Sequence, residues 1–88
     1  MKQKARRAAY RKEVKRLTNE HHPPRWPATR EHHVPISFGF NRGIPAELIG
    51  SPANISYVDI DDNLAKSTML DDRGRQNLIQ WGYDYLVK

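Results

Sequence analysis

The chain has 88 residues, a length that allows one small domain with a limited core, and it contains no cysteine. Disulfide bridges, thiol catalysis and zinc sites built from thiolates are therefore excluded, and any metal must be bound by imidazole, carboxylate, amide or hydroxyl groups. The formal net charge of +5 favours a polyanionic partner, most often nucleic acid. No apolar run is long enough to span a membrane, and the basic first residues lack the apolar segment of a secretory signal, so a soluble cytoplasmic protein is expected.

The first predicted element is a helix over about residues 3–19, which contain neither glycine nor proline and are rich in Ala, Arg and Lys. Tyr10, Val14 and Leu17 are spaced so that they form one narrow apolar stripe. The helix is therefore expected to pack on the rest of the domain by this stripe and to leave its other faces in solvent.

The exposed face of this helix is strongly basic. Residues 2–16 contain eight basic side chains and a single acidic one, Glu13. Such a face favours contact with the phosphates of nucleic acid, although a basic face can also serve only to keep a protein soluble. The predicted nucleic-acid contacts on this helix are Arg6, Arg7 and Arg11.

Two strands are predicted after a stiff loop. Three prolines within residues 22–27 end the helix, and Trp26 is expected to anchor the loop to the body of the domain. The first strand is predicted over residues 33–38, which are mostly apolar, and the second over residues 54–60, where β-branched and aromatic residues recur. Between them, Pro45 suits the first position of a single helical turn.

Two more helices complete the predicted fold. Asp61 or Asp62 would cap a helix that ends near Leu70, and a last helix is predicted over about residues 75–87. Gly82 is a weak point in this last helix. The residues expected to pack it on the body are Leu78, Ile79, Tyr83 and Leu86.

The order of the polar residues in the middle of the chain is similar to that of a known family. The chain contains Glu31-His32-His33-Val34-Pro35-Ile36-Ser37, then Pro52-Ala53-Asn54-Ile55, then Asn63-Leu64-Ala65-Lys66. This pattern resembles the HNH, or ββα-metal (His-Me finger), endonuclease family over about residues 31–67, less than half of the chain. The chain departs from the family in having no cysteine knuckles, a longer connection between the histidines and Asn54, and Ser67 where some members have a histidine.

The resemblance, together with the elements predicted from the residues, indicates an α+β fold in one domain over residues 1–88. Its small ββα-metal core, a two-stranded hairpin plus a helix, would span residues 31–70. A basic N-terminal helix (1–20) and a C-terminal packing helix (72–88) would flank this core. On a plain strand, neighbouring side chains point to opposite faces, so the two adjacent histidines would reach one centre only if the strand is locally distorted.

The resemblance also implies a catalytic or metal-binding role for each matching residue. His33 would be the general base that activates water, since imidazole titrates near neutral pH. Asn54 would bond the loop backbone and orient His33, and Lys66 would contact the phosphate or the leaving group. Glu31 would either bind the metal directly or bond a residue that does. The implied metal ligands are His32, Asn63 and Glu31.

The activity implied by the resemblance is metal-dependent nicking or cleavage of DNA. It requires one divalent ion, and a sparse set of nitrogen and oxygen ligands favours Mg²⁺ or Mn²⁺, while imidazole also admits Ni²⁺ or Zn²⁺. A domain this small has little surface for reading bases, so a homodimer or a larger protein partner would supply specificity. Small members of the family occur in phages and mobile elements. Further contacts with the DNA backbone are predicted at Arg25, Arg30 and Arg42.

Other interpretations stay open from the residues alone. The chain could be a catalytically inactive, nuclease-like module that binds nucleic acid or inhibits another protein. Asp59, Asp61 and Asp62 could form a separate carboxylate metal site. Asn54 could simply cap the entry to a strand, Asn63 could be an ordinary first-turn helix residue, and the two histidines could be polar residues with satisfied hydrogen bonds.

Overall fold

The computed structural model of the chain describes residues 2–60 and 70–87. Within these ranges the fold is α+β, as predicted. The helices are α1 (Lys2–His21), α2 (Ile36–Asn41), α3 (Ala46–Ile49) and α4 (Asp72–Gln80), and the strands are β1 (Ala28–His32) and β2 (Ile55–Asp59). Short 3₁₀ turns at Pro52–Asn54 and Asp84–Leu86 precede β2 and follow α4.

The basic helix α1 packs by the predicted apolar stripe. Val14 is fully buried, and Tyr10 and Leu17 are half-buried. The Tyr10 hydroxyl donates a hydrogen bond to the carbonyl of Ile44 (2.7 Å), which joins α1 to the segment before α3. Burial raises the pKa of Tyr10 above its usual value, because a phenolate at this position would lose hydration.

The two strands form one antiparallel pair, in which Glu31 lies opposite Ser56 and His32 lies opposite Ile55. The second strand lies within the predicted range. The prediction of a first strand over residues 33–38 is wrong, because β1 ends at His32 and α2 begins at Ile36.

The first strand differs from the prediction for a physical reason. Ala28–His32 contains polar side chains on both faces, so it lacks the alternating apolar pattern that marks a half-buried strand. Pro35 has φ −59° and ψ 150° and caps α2, whose residues Ile36 and Phe38 pack partly buried against the core. The apolar residues that suggested a strand therefore belong to a short helix.

The core is small and draws on residues from most elements. Its buried side chains are Val14, Val34, Ile44, Ile49 and Leu78. Tyr83 and Leu86 pack against it, as predicted. Ile79 is instead 53% exposed, so its predicted packing is wrong. Ile79 is the next residue after Leu78, and successive side chains of an α-helix are rotated by about 100°. With Leu78 in the core, Ile79 therefore points to solvent.

The loop between α1 and β1 is held by Tyr57 rather than by Trp26. The Tyr57 hydroxyl donates to the carbonyl of Pro23 (2.6 Å), and the guanidinium of Arg25 lies 4.5 Å from the centroid of the Tyr57 ring. Because these contacts fix the loop, Trp26 is not needed as an anchor and is 85% exposed. The prediction that Trp26 anchors the loop is wrong.

The C-terminal helix is shorter than predicted. It spans Asp72–Gln80 rather than residues 75–87, because Gly82 adopts φ +90°, a left-handed conformation that follows the helix end. The helix predicted from Asp61 or Asp62 falls, except for its last residue, outside the described residues. No helix within residues 2–60 and 70–87 combines the length and the apolar character needed to cross a membrane.

Candidate metal centre

Glu31 on β1 and His33, the first residue after β1, turn their side chains to the same cluster. The N–H of His33 still bonds the carbonyl of Asn54 (2.8 Å), so the alternation of the strand continues for one residue beyond its end. Glu31 and His33 are both buried, with exposed fractions of 8% and 7%. Asp71, the residue before α4, approaches them from the C-terminal part of the chain. One potential ligand atom from each of these three residues lies within 4.8 Å of the others, so the cluster could hold a metal ion.

Asp71 joins α4 to His33 through its two carboxylate oxygens. Its Oδ1 accepts the backbone N–H of Gly74 (2.7 Å) and thereby caps α4, while its Oδ2 lies 2.8 Å from Nδ1 of His33. The two segments are in direct contact, since a Cβ at Gly74 would overlap the backbone carbonyl of His33. Glycine at this position therefore allows α4 to bring Asp71 to the cluster.

The hydrogen bonds of His33 determine which of its ring nitrogens can accept a proton. A carboxylate only accepts hydrogen bonds, so Nδ1 carries the proton and donates it to Asp71. In the neutral ring Nε2 then has the lone pair, which can accept a hydrogen bond from the hydroxyl of Ser56 on β2, 2.7 Å away. This tautomer is the one that a general base acting through Nε2 requires.

Asn54 bonds the backbone next to His33, as predicted, and is fully buried. Its Oδ1 accepts the N–H of Val34 (2.8 Å), and its Nδ2 donates to the carbonyls of Val34 (3.1 Å) and Ile49 (2.8 Å). The backbone carbonyl of Asn54 also accepts the N–H of His33 (2.8 Å). These bonds satisfy the buried amide and hold the loop after β1 in place.

His32 lies on the opposite face of β1 from Glu31 and His33, as the alternation of a plain strand requires. The hydroxyl of Thr18 on α1 donates to the Val14 carbonyl (2.7 Å), so it accepts a hydrogen bond from Nε2 of His32 (2.8 Å). Burial, with a further contribution from the positive charge of Arg30, lowers the pKa of His32 to about 4. The structure does not bring His32 into the cluster, and its role as a metal ligand stays a prediction.

Several other predicted site residues cannot be placed, and one lies at the surface. Asn63 and Lys66 lie outside the described residues, as do Asp61 and Asp62 of the alternative carboxylate site. Asp59 is exposed at the end of β2, where it pairs with Ala28.

The predicted nucleic-acid contacts lie on α1, on β1 and in the loops, and none of them belongs to the cluster. Arg6, Arg7 and Arg11 are exposed on α1. The guanidinium of Arg7 lies 5.4 Å from the ring centroid of Phe40, and that of Arg42 lies 4.5 Å from the ring centroid of Phe38. These stacking contacts hold the two guanidinium groups while leaving their charge available to an anion.

Three residues at the centre were not predicted from the sequence, namely Ser56, Asp71 and Asn77. Asn77 on α4 donates through Nδ2 to the carbonyl of Ala53 (3.1 Å) and to Oδ1 of Asn54 (3.2 Å). An aspartate before a helix is a recognisable capping signal, so Asp71 could have been placed at a helix start. Nothing in the sequence links it to His33, which lies 38 positions earlier.

The donor set of the cluster, two carboxylates and one imidazole, is chemically suited to a divalent cation. Comparisons of the chain with protein-family models, with curated proteins and with solved structures found no match. The function of the centre must therefore be inferred from its own geometry.

Proposed function

We propose that this chain is an HNH-type, metal-dependent endonuclease that nicks or cleaves DNA phosphodiester bonds. The observation that supports this best is the arrangement around His33, a buried imidazole in the tautomer of a general base beside two carboxylates that could share a metal ion. The hydrogen bonds of Asn54 to the adjacent backbone give the imidazole the fixed position that such a reaction needs.

His33 would act on the attacking water through Nε2. The proton of the water passes to Nε2, and the imidazolium that results stays paired with the carboxylate of Asp71 at Nδ1. The hydroxyl of Ser56 occupies the position next to Nε2, so the water must displace this hydroxyl or share the nitrogen with it.

A divalent cation at the cluster would neutralise charge on the scissile phosphate and on the leaving oxygen. Glu31 and Asp71 offer hard carboxylate oxygens, which suit Mg²⁺ or Mn²⁺, while imidazole also admits Ni²⁺ or Zn²⁺. An imidazole that binds a metal through Nδ1 carries its remaining proton on Nε2, so His33 cannot be a ligand at Nδ1 and a base at Nε2 together. We therefore assign the cation to the carboxylates and the proton transfer to His33.

Plasmid nicking tests this proposal directly. Supercoiled plasmid incubated with the protein and Mg²⁺, Mn²⁺ or Ni²⁺ should become open-circular, and EDTA should stop the reaction. His33→Ala should lower the rate at least about 100-fold, since a general base contributes roughly that much or more. His21→Ala is the matched control, because His21 is exposed at the end of α1, and this variant should nick at the wild-type rate.

Two outcomes would refute the enzymatic function. One is the absence of nicking by the wild-type protein with every metal, and the other is an equal rate for His33→Ala and wild type. DNA binding without any cleavage would favour the alternative of a catalytically inactive nucleic-acid-binding module. The observation that favours this alternative is the Ser56 hydroxyl seated 2.7 Å from Nε2, where the nucleophile would have to lie.

A further inference from the structure

A second polar cavity lies between β1 and α1, on the strand face opposite the candidate metal centre. Its volume is about 230 Å³, and its polar lining comes from Lys15, Thr18, Asn19, Thr29, Arg30 and His32. Glu31 and His33 point to the other face of the sheet. The cavity is therefore a separate site rather than an extension of the cluster.

The lining of this cavity carries two positive charges and no carboxylate. Nη1 of Arg30 donates to Oδ1 of Asn19 and to the backbone carbonyl of His22 (3.4 Å), so neutral groups hold this guanidinium. Within the described parts of the chain, no ion pair joins Lys15 or Arg30 to an acidic residue. Hydrogen bonds thus orient the guanidinium of Arg30, but no carboxylate neutralises its charge or that of Lys15 among the described residues.

The neighbouring Arg16 shows the opposite arrangement on the same helix. Its guanidinium contacts the carboxylates of Glu13 (2.6 Å) and Glu20 (3.3 Å). Lys15 and Arg16 are adjacent cations in different surroundings. Lys15 lines the cavity, whereas Arg16 forms ion pairs with two glutamates on the surface. The pair provides a matched comparison between a charge in the cavity and a charge outside it.

We propose that this cavity binds a phosphate group, and that the phosphate belongs to the backbone of DNA. The fixed guanidinium of Arg30 and the ammonium of Lys15 supply both the positive charge and the hydrogen-bond donors. Arg7 and Arg11 precede Lys15 at intervals of four residues, so the three cations share one face of α1. This continuous basic face matches a polymer of phosphates better than a single free phosphate ion.

The proposal does not depend on cleavage, because the cavity and the candidate metal centre have no residue in common. It assigns the cavity the task of positioning the DNA backbone on α1 while the candidate metal centre faces the other side of the sheet. A DNA-binding protein without catalytic activity would use the cavity in the same way.

The test follows backbone amide signals of the ¹⁵N-labelled full chain in EDTA during two titrations, one with inorganic phosphate and one with a short DNA duplex. Both probes should produce saturable shifts at Thr18, Thr29 and Arg30, and phosphate should compete with the duplex. Lys15→Gln should weaken the binding of both probes about threefold, and Lys15→Arg should restore it. Arg16→Gln removes a charge that is already paired, so it should weaken binding less than Lys15→Gln does.

Each alternative result overturns part of the proposal. Shifts that do not saturate, or equal losses for Lys15→Gln and Arg16→Gln, would show that there is only diffuse attraction to a basic surface. If Lys15→Gln weakens phosphate binding but leaves duplex affinity unchanged, the assignment to the DNA backbone is wrong. EDTA removes cleavage from all of these measurements, so they are independent of the outcome of the plasmid assay.

Discussion

The two ring nitrogens of His33 contact different neighbours, and this division determines what the imidazole can do. Nδ1 donates to Asp71, whereas Nε2 accepts from Ser56. The first contact fixes the tautomer, so its loss would affect any reaction that uses Nε2 as a base. The second contact occupies the place of the attacking water, so its loss should let water bond Nε2 directly and should change the rate little.

Ser56→Ala tests the role of the hydroxyl next to Nε2. If His33 activates water, the variant should keep nicking activity within about threefold of wild type, because water can enter the space and bond Nε2 directly. The measurement is the initial rate of plasmid nicking with Mg²⁺ or Mn²⁺. A loss as large as that of His33→Ala would contradict this account of water activation and would show that the reaction requires the Ser56 hydroxyl.

At the scale of single residues, part of the centre was predictable. Glu31 and His33 share a face because the alternation of β1 continues for one residue beyond its end, and the same rule sends the side chain of His32 towards α1. The capping position of Asp71 leaves a signal in the sequence, but its contact with His33 does not. Such a contact depends on the packing of α4 against the loop after β1, which no local pattern records.

At the scale of elements, the accuracy of each prediction follows the strength of its local signal. α1 has good helix formers and a clear apolar stripe, and β2 has β-branched and aromatic residues, so both lie close to where they were expected. β1 was missed because a strand with polar residues on both faces looks like a loop. The polar character of β1 is itself informative, since one face carries Glu31 and the other contributes Arg30 and His32 to the cavity between β1 and α1.

Tyr10→Phe tests how α1 is held on the core. The variant should lower the free energy of unfolding by about 1 kcal/mol near neutral pH, because the carbonyl of Ile44 loses its donor. The folded-state pKa of Tyr10 is raised above the unfolded value, so this stabilisation is present below about pH 10 and is lost as the pH rises further. The difference in the free energy of unfolding between wild type and Tyr10→Phe should therefore shrink, and then change sign, at alkaline pH.

Urea unfolding at neutral and alkaline pH measures this difference. Tyr85→Phe is the control, because Tyr85 is 62% exposed and its removal should leave the pH dependence as it is in wild type. If the difference in the free energy of unfolding between Tyr10→Phe and wild type stays constant with pH, the Tyr10 hydroxyl is not buried in solution.

At the scale of the whole molecule, charge is distributed unevenly. α1 carries two acidic residues, Glu13 and Glu20, and both contact Arg16. From Lys4 onward, the other arginine and lysine side chains of α1 form no ion pair with an acidic residue among the described residues, and they give the helix a surface of unneutralised charge. This surface and the cavity between β1 and α1 lie on the α1 side of β1, and the candidate metal centre lies on the other side. The proposed DNA binding and the proposed cleavage can therefore be tested separately by mutation.

Charge reversal on α1 tests whether this helix binds DNA. Replacement of Arg6, Arg7 and Arg11 by Glu should weaken duplex binding and lower the slope of log affinity against log salt by about three, since each phosphate contact adds about 0.9. Replacement of the same three residues by Lys keeps the charge and should preserve both quantities. Filter binding or fluorescence anisotropy over a range of salt concentrations measures affinity and slope together. Equal affinity for the Glu variant and wild type would exclude α1 as the DNA-binding surface, and the circular dichroism of the Glu variant would show whether α1 is still folded.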